Sequence, residues 1–315
     1  MSRPDILQLG PYPDWDQTPL DAAFTMHRLD LAEDADTFLA EVGPRIRGIA
    51  TKGDVGASRR IIAACPALEV IAVYGVGFDA VDIETCRARG IAVTNTPDVL
   101  TGDVADFAVA MTLALSRELV ANDAWVRSGD WSRKGAPPLG RRVWGQRAGI
   151  LGLGRIGEAV ARRLAAFDMT IAYSARSPKA TPSDWRYIPD PVALAEASDI
   201  LILTLAVSGE TRHIVDEKVL DALGPNGMLV NVARAAAVDE DALIRALAEG
   251  RLGGAALDVF EGEPDLDPRI PDLPNVLLQP HQASATMRTR KEMGQLMRDN
   301  LTAHFEGRPL LTPVP

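Results

Sequence analysis

The stretch Ala148-Gly149-Ile150-Leu151-Gly152-Leu153-Gly154-Arg155-Ile156-Gly157 decides the fold of this chain. An apolar strand-like run, Ala148–Leu151, enters a G-x-G-x-x-G pattern, and a helix-like segment, Glu158–Phe167, leaves it. The pattern alone is a weak signal. Between a strand and a helix it is a strong one, because each glycine then has a physical reason to be there. Gly152 permits the tight turn, Gly154 lets backbone approach a pyrophosphate, and Gly157 lets helix and strand pack closely. The helix start, around Arg155 and Ile156, offers free N–H groups and a positive dipole end to phosphates. The stretch reads as a dinucleotide-binding βα turn.

Working outward, apolar runs alternate with helical patterns along nearly the whole chain. Strand candidates are Ile6–Leu9, Gly48–Thr51, Val70–Tyr74, Ile91–Thr94, Ala148–Leu151, Thr170–Tyr173, Ile200–Leu205, Met228–Val232, Gly254–Asp258 and Val276–Leu278. Many are continuously apolar, as buried parallel strands are. Helical stretches such as Ser58–Ala64, Gly157–Ala166 and Glu240–Glu249 lie between them. The fold class is α/β, doubly wound. Because so much strand–helix alternation precedes the glycine loop, two lobes are expected. Residues 1–98 with 287–315 form one, and 99–286 form the dinucleotide-binding (Rossmann) lobe. Val104–Arg127 reads as one long connecting helix, Ser128–Arg142 as an arm, and Met287–His304 as a helix returning to the first lobe.

At 315 residues there is room for two ordinary domains. No apolar run nears the roughly 20 residues that span a bilayer, and the N-terminus lacks the apolar core of a signal peptide. A cytoplasmic protein with no membrane partner is expected. Cys65 and Cys86 are the only cysteines, too few for a disulfide framework or a metal cluster, so no metal is expected. A net charge of −10 argues against a nucleic-acid partner.

The strand after the glycine loop, Thr170–Tyr173, runs into Ser174-Ala175-Arg176-Ser177-Pro178-Lys179. In an NAD site an acid near this point accepts from the ribose 2′-hydroxyl. Here no acid occurs before Asp184. Ser174 and Ser177 supply hydroxyls, while Arg176 and Lys179 supply charge that attracts a 2′-phosphate. NADPH is therefore expected over NADH, with Arg155 a possible addition to the phosphate site.

Ligands of open α/β sheets lie beyond the carboxyl ends of the strands. Arg234, Asp258 and His281 follow or end strands there, and Glu263 closes the loop after Asp258. A cation, an imidazole and an acid to orient it are what hydride transfer to a 2-oxo acid requires. Arg clamps a carboxylate and polarises a carbonyl, and a protonated imidazole quenches the charge growing on the carbonyl oxygen. Of the four histidines, His281 alone combines a strand end with the second half of the sheet. At this point either Asp258 or Glu263 could be its carboxylate.

The chain resembles the NAD(P)-dependent D-isomer-specific 2-hydroxyacid dehydrogenases over nearly its full length. The carrying motifs are Gly75-Val76-Gly77-Phe78-Asp79, Val93-Thr94-Asn95-Thr96-Pro97-Asp98, Gly149 to Gly157, Leu229 to Arg234, Leu257 to Pro264, and Pro280-His281. The resemblance implies a flavodoxin-like substrate-binding (lid) domain beside the Rossmann domain, and a homodimer formed through residues 102–142. It implies that Arg234 binds substrate, that Glu263 pairs with a catalytic His281, that the backbone at Val76-Gly77 helps hold the substrate carboxylate, and that Asp258 contacts the nicotinamide amide.

Tyr173 to Lys179 and Asn95 to Thr101 are similar to the glyoxylate/hydroxypyruvate reductase branch. NADPH-dependent reduction of glyoxylate or hydroxypyruvate is the function implied. Hydroxyphenylpyruvate, 2-ketogluconate or phosphoglycerate are alternative substrates, and a non-enzymatic dinucleotide sensor or corepressor is an alternative of another class. Three departures from the family pattern could reshape the nicotinamide pocket: Ala206, Ala235 and Gln282-Ala283-Ser284. Trp131 and Trp144 are both off-register for the substrate-facing Trp of this branch.

Overall fold

The structure, a computed structural model, describes residues 3–314 and divides into two compact units. One runs to Leu100 and resumes at Ala285; the other is Thr101–Ser284.

In the first unit β1 (Asp5–Gln8), α1 (Asp14–Ala23), β2 (Thr25–Arg28), α2 (Ala35–Val42), β3 (Gly48–Lys52), α3 (Arg59–Ala64), β4 (Val70–Tyr74), α4 (Ile83–Arg89) and β5 (Ala92–Thr94) follow in order. The strands pair in parallel as β2-β1-β3-β4-β5, the flavodoxin order. Leu7, Ile49 and Ile71, at or near the strand centres, are fully buried. Asp34, Ser58 and Asp82 cap α2, α3 and α4 by accepting backbone N–H bonds. The C-terminal helix, Met287–Phe305, belongs to this unit. Tyr74 Oη donates to the Arg290 carbonyl (2.8 Å), and Arg298 Nη1 to the buried Asp16 carboxylate (2.6 Å). Gly294 makes room for Asp16, since a Cβ there would overlap that carboxylate.

The second unit contains α5 (Thr101–Ser116), α6 (Leu119–Arg127), α7 (Asp130–Lys134), β6 (Arg147–Leu151), α8 (Arg155–Ala165), β7 (Thr170–Ser174), β8 (Arg186–Tyr187), α9 (Pro191–Glu196), β9 (Ile200–Leu203), α10 (Glu217–Leu223), β10 (Met228–Asn231), α11 (Glu240–Ala248), β11 (Gly254–Leu257) and β12 (Val276–Leu278). Its parallel sheet is ordered β12-β11-β10-β9-β6-β7-β8, the Rossmann order with one further strand. Every residue of β9 and β10 is buried, which is why these runs are apolar without alternation.

The single helix expected over Val104–Arg127 is two. Glu118 takes a left-handed conformation (φ +50°) between α5 and α6. Ser116 cannot carry the helix on, because its carbonyl accepts the Arg141 N–H (2.6 Å) from the returning arm. Strands β2 and β8 were not expected. β2 is a polar edge strand and β8 spans only two residues, so neither shows an apolar run. Among the described residues no helix is long and apolar enough to cross a membrane.

Candidate active site

The glycine loop joins β6 to α8 and is held at both ends. The N–H groups of Gly152 and Leu153 donate to the Ser174 carbonyl of β7 (3.0 and 3.3 Å). Gly152 has φ +104°, and a Cβ on it would lie 2.5 Å from Leu205 Cα. A Cβ on Gly157 would overlap the Gly152 carbonyl oxygen and sit 2.7 Å from Thr204 Oγ1, which itself donates to that oxygen (2.8 Å). Gly154 differs: a Cβ there would meet nothing within 4 Å. Its neighbours are thus glycine because protein crowds them, whereas Gly154 opens on free space at the start of α8. The first-turn N–H groups of α8, among them those of Ile156 and Gly157, have no acceptor within the helix. These features fit a dinucleotide pyrophosphate: free donors, a dipole end and space for the oxygens.

The loop after β7 splits the four side chains assigned to a 2′-phosphate. Ser174 is buried, and its Oγ donates to the Pro189 carbonyl (3.0 Å). Arg176, Ser177 and Lys179 are exposed. The loop backbone is pinned by two tyrosines. Tyr173 Oη accepts the Lys179 N–H (3.0 Å), and Tyr187 Oη donates to the Ala175 carbonyl (3.1 Å). Two cations are therefore presented on a fixed backbone, and neither makes an ion pair with a carboxylate among the described residues.

At the other end of the sheet, His281 Nδ1 lies 2.7 Å from Glu263 Oε1. Glu263 Oε2 accepts the Phe260 N–H (3.2 Å), which fixes the carboxylate at the tip of its loop. The hydrogen bond from Glu263 is the largest influence on the imidazole. It raises the His281 pKa above the usual histidine value, against desolvation and the nearby positive charge of Arg234. Burial pushes Glu263 up, but the His281 hydrogen bond and charge, the Phe260 N–H and Arg234 together bring it below the usual carboxylate range. Both shifts favour the charged forms of the pair, and Nδ1 is the ring nitrogen that Glu263 engages.

Arg234 follows β10 at the start of a short 3-10 turn, Ala235–Ala237. Asn231 shapes this corner: its Oδ1 accepts the Ala233 N–H and its Nδ2 donates to the Arg234 carbonyl (both 3.0 Å). Arg234 Nη1 donates to the Ala233 carbonyl (2.8 Å), which orients the guanidinium.

Asp258, just past β11, has a role that sequence reasoning missed. Its two oxygens accept the N–H groups of Gln282 (2.7 Å) and Ala283 (2.9 Å), the residues directly after His281. Asp258 is 1% exposed, and that burial raises its pKa despite the two donors. His281 itself has φ +55°, a conformation costly outside glycine. The carboxylate therefore clamps the strained segment that carries the imidazole. A contact with the nicotinamide amide would be a further demand on the same oxygens. Asp258→Asn puts an NH2 against a backbone donor and is expected to cost about 1–3 kcal/mol of stability and to lower kcat. Denaturant unfolding and steady-state rates check both, and unchanged values would mean that other contacts hold the segment.

The family model of the D-isomer specific 2-hydroxyacid dehydrogenase NAD binding domain matches residues 109–283, the region holding the glycine loop, Arg234, Glu263 and His281. The chain belongs to that family. A 2-hydroxyacid dehydrogenase from Ketogulonicigenium vulgare Y25 has a solved structure that superposes with TM-score 0.93 at 65% identity, covering 100% of this chain and 99% of that one. The hydroxyphenylpyruvate reductase of Plectranthus scutellarioides is 45% identical over 98% of both chains. An NADPH-dependent glyoxylate/hydroxypyruvate reductase from Sinorhizobium meliloti, solved with NADP and malonate, is 43% identical with TM-score 0.91, covering 99% of this chain and 97% of that one. This D-2-hydroxyacid dehydrogenase is accordingly an oxidoreductase with a nicotinamide-dinucleotide fold.

Proposed function

We propose that this D-2-hydroxyacid dehydrogenase is an NADPH-dependent reductase of small 2-oxo acids, glyoxylate and hydroxypyruvate first. The observation that carries the reading is the 2.7 Å contact between His281 Nδ1 and Glu263 beside the positive charge of Arg234. The nicotinamide dinucleotide, when bound through Gly152–Gly157, supplies the hydride. Arg234 binds the substrate carboxylate and polarises the 2-oxo group. His281 gives the proton on Nε2 to the oxygen that becomes the hydroxyl, and Glu263 stabilises the imidazolium until then. In the first unit the β4–α4 loop offers the N–H groups of Val76 and Gly77 to a carboxylate. Its shape is set by Asn95, whose Nδ2 donates to the Val76 carbonyl (2.8 Å), and by Thr96 Oγ1, which accepts the Gly75 N–H (3.0 Å).

NADPH preference rests on Arg176 and Lys179 and on the lack of an acid between β7 and Asp184. Homodimer formation is supported by apolar side chains left exposed along α6 and the arm, including Leu119, Val120, Val126, Trp131 and Leu139; sedimentation equilibrium reads it, and a monomeric mass would remove it. An aromatic 2-oxo acid is the second reading, favoured by the likeness to the hydroxyphenylpyruvate reductase.

The deciding experiment is a steady-state panel of glyoxylate, hydroxypyruvate, pyruvate and 4-hydroxyphenylpyruvate, each with NADPH and NADH. The two small acids with NADPH are expected to give the highest kcat/KM. Turnover of none would leave the sensor reading. Arg176→Ala is expected to weaken NADPH binding by about tenfold or more, the worth of a charge-assisted bidentate contact, with NADH binding little changed. Equal NADPH affinity in the variant would place the 2′-phosphate elsewhere.

A further inference from the structure

Glu263 lies in the loop between β11 and β12, and whatever holds that loop decides how well its carboxylate meets His281. Val259 and Phe260 are buried and anchor the start of the loop. Beyond them Glu261 and Gly262 are exposed. Gly262 turns the chain with φ +73°, and its carbonyl accepts the Asp265 N–H (3.0 Å). Between the buried start and this turn, the Glu261 N–H donates to Glu240 Oε2 (3.0 Å). The bond fixes the backbone just before Glu263.

Glu240 belongs to the segment that also carries Arg234. From Arg234 the chain passes through the turn Ala235–Ala237 to Asp239, which caps α11 by accepting the Ala242 N–H (3.0 Å), and Glu240 opens the helix. The segment is braced from the side. The His213 and Val215 N–H groups donate to the Ala236 and Ala237 carbonyls (2.8 and 3.0 Å), and the Asp239 N–H donates to the Val215 carbonyl (3.0 Å). One stiff piece of backbone therefore mounts both Arg234 and the anchor of the Glu263 loop.

A carboxylate is poorly placed at position 240 unless it has a task there. Glu240 is half-buried, and burial raises its pKa, with the charges of Glu261, Asp267 and Asp241 adding to the rise and the Glu261 N–H opposing it. Arg269 pairs with Asp241 and Asp267 (2.5 and 2.6 Å). Glu240 makes no ion pair among the described residues, and among them its side chain bonds only the Glu261 N–H. The other tether on Glu261 is weaker. Its Oε1 lies 3.6 Å from Arg212 Nη2 and 3.5 Å from His213 Nε2, all on solvent-accessible side chains, and exposed ion pairs contribute little.

We infer that Glu240 is a positioning residue for the reaction: by accepting the Glu261 N–H it holds the loop so that Glu263 meets His281 Nδ1, and it sets that pair in place relative to Arg234. The inference rests on the reading above that these three groups carry the reduction. Glu240 acts through backbone, and a bond from an N–H to a carboxylate is of the stronger, charge-assisted kind.

The test reads the imidazole directly. In an NMR titration without substrate, with the His281 signal identified by its loss in His281→Ala, the midpoint in Glu240→Ala is expected at lower pH than in the wild type. The direction is that of Glu263→Gln and the displacement smaller. Arg234 and Asp258, the other charged groups that act on the imidazole, are left in place. Glu240→Gln keeps an acceptor oxygen for the Glu261 N–H and is expected to restore most of the midpoint. A displacement caused only by the lost charge, or by its effect on the helix dipole, would appear in both variants. In hydroxypyruvate reduction kcat of Glu240→Ala is expected to fall about tenfold or more, with KM little changed. An unchanged midpoint in Glu240→Ala overturns the inference, and so does a glutamine variant as displaced as the alanine one. Should the wild type reduce none of the acids, the reductase reading fails, while a displaced midpoint restored by glutamine still upholds the anchor. Should the wild type reduce hydroxypyruvate and Glu240→Ala keep the wild-type midpoint, the reductase reading stands and Glu240 has no such role.

Discussion

Replacing His281 with alanine is expected to lower kcat for hydroxypyruvate reduction by about 10²–10⁴-fold, the usual worth of a positioned general acid. KM should move far less, since the proton is delivered in the transition state and not in the ground-state complex. The pH dependence carries the same information with a sign. In the proposed mechanism reduction consumes the imidazolium, so turnover is expected to fall as pH rises through the His281 pKa. The Glu263 hydrogen bond raises that pKa, so the fall comes later than for an ordinary histidine. Glu263→Gln removes the charge and keeps the shape, and the fall should move to lower pH. Oxidation of the hydroxy acid should show the mirror image, rising as the imidazole becomes neutral. Rate profiles over roughly pH 5–9, the range where histidine titrates, check this with chemistry shown to be rate-limiting. A Glu263→Gln profile superimposable on that of the wild type would separate the 2.7 Å contact from the reaction.

Replacing Arg234 with glutamine is expected to lower kcat/KM by about 10²-fold or more, because the hold on the substrate carboxylate proposed for Arg234, and the alignment it gives, would both be lost. Lysine should not restore the rate. A guanidinium offers a planar fork that matches a carboxylate, and an ammonium does not. The backbone corner built by Asn231 would survive the change, but the bond from Nη1 to the Ala233 carbonyl orients that fork, and a lysine of different reach cannot copy it. Single-turnover kinetics beside substrate titrations separate loss of binding from loss of chemistry. A variant with unchanged KM and kcat would mean that the carboxylate is held by other groups.

Much of this site is legible from local pattern because its parts sit at strand ends, and strand ends are marked by apolar runs. Gly152 and Gly157 are readable as glycines because the tight turn and the helix–strand contact forbid a Cβ, and the distances to Leu205 and Thr204 agree. His281 is readable because it follows β12 and Pro280. The clamp by Asp258 is not. Its partners are backbone N–H groups 24 and 25 residues away, and no side-chain pattern encodes a backbone donor. The break at Glu118 is hidden for a related reason. Arg117 and Glu118 are ordinary helix residues, and the contact that stops α5 comes from Arg141. Ser174 shows the opposite case. Its neighbours suggest a phosphate ligand, while its buried hydroxyl donates to the Pro189 carbonyl. Sequence order shows which residues share a loop, and only the fold shows which of them face solvent.

The left-handed backbone at His281 has a consequence for how this protein would change under selection. A non-glycine residue at φ +55° carries a conformational penalty of about 1 kcal/mol or more. Glycine at that position would relieve it while removing the imidazole. At position 281 the relief of the backbone by glycine works against the lost Glu263 contact, so a mutagenesis campaign scored only by survival of heating would be a poor guard of the imidazole, and glycine variants that passed it would look well folded. Any effort to harden this scaffold has to screen for turnover in the same round.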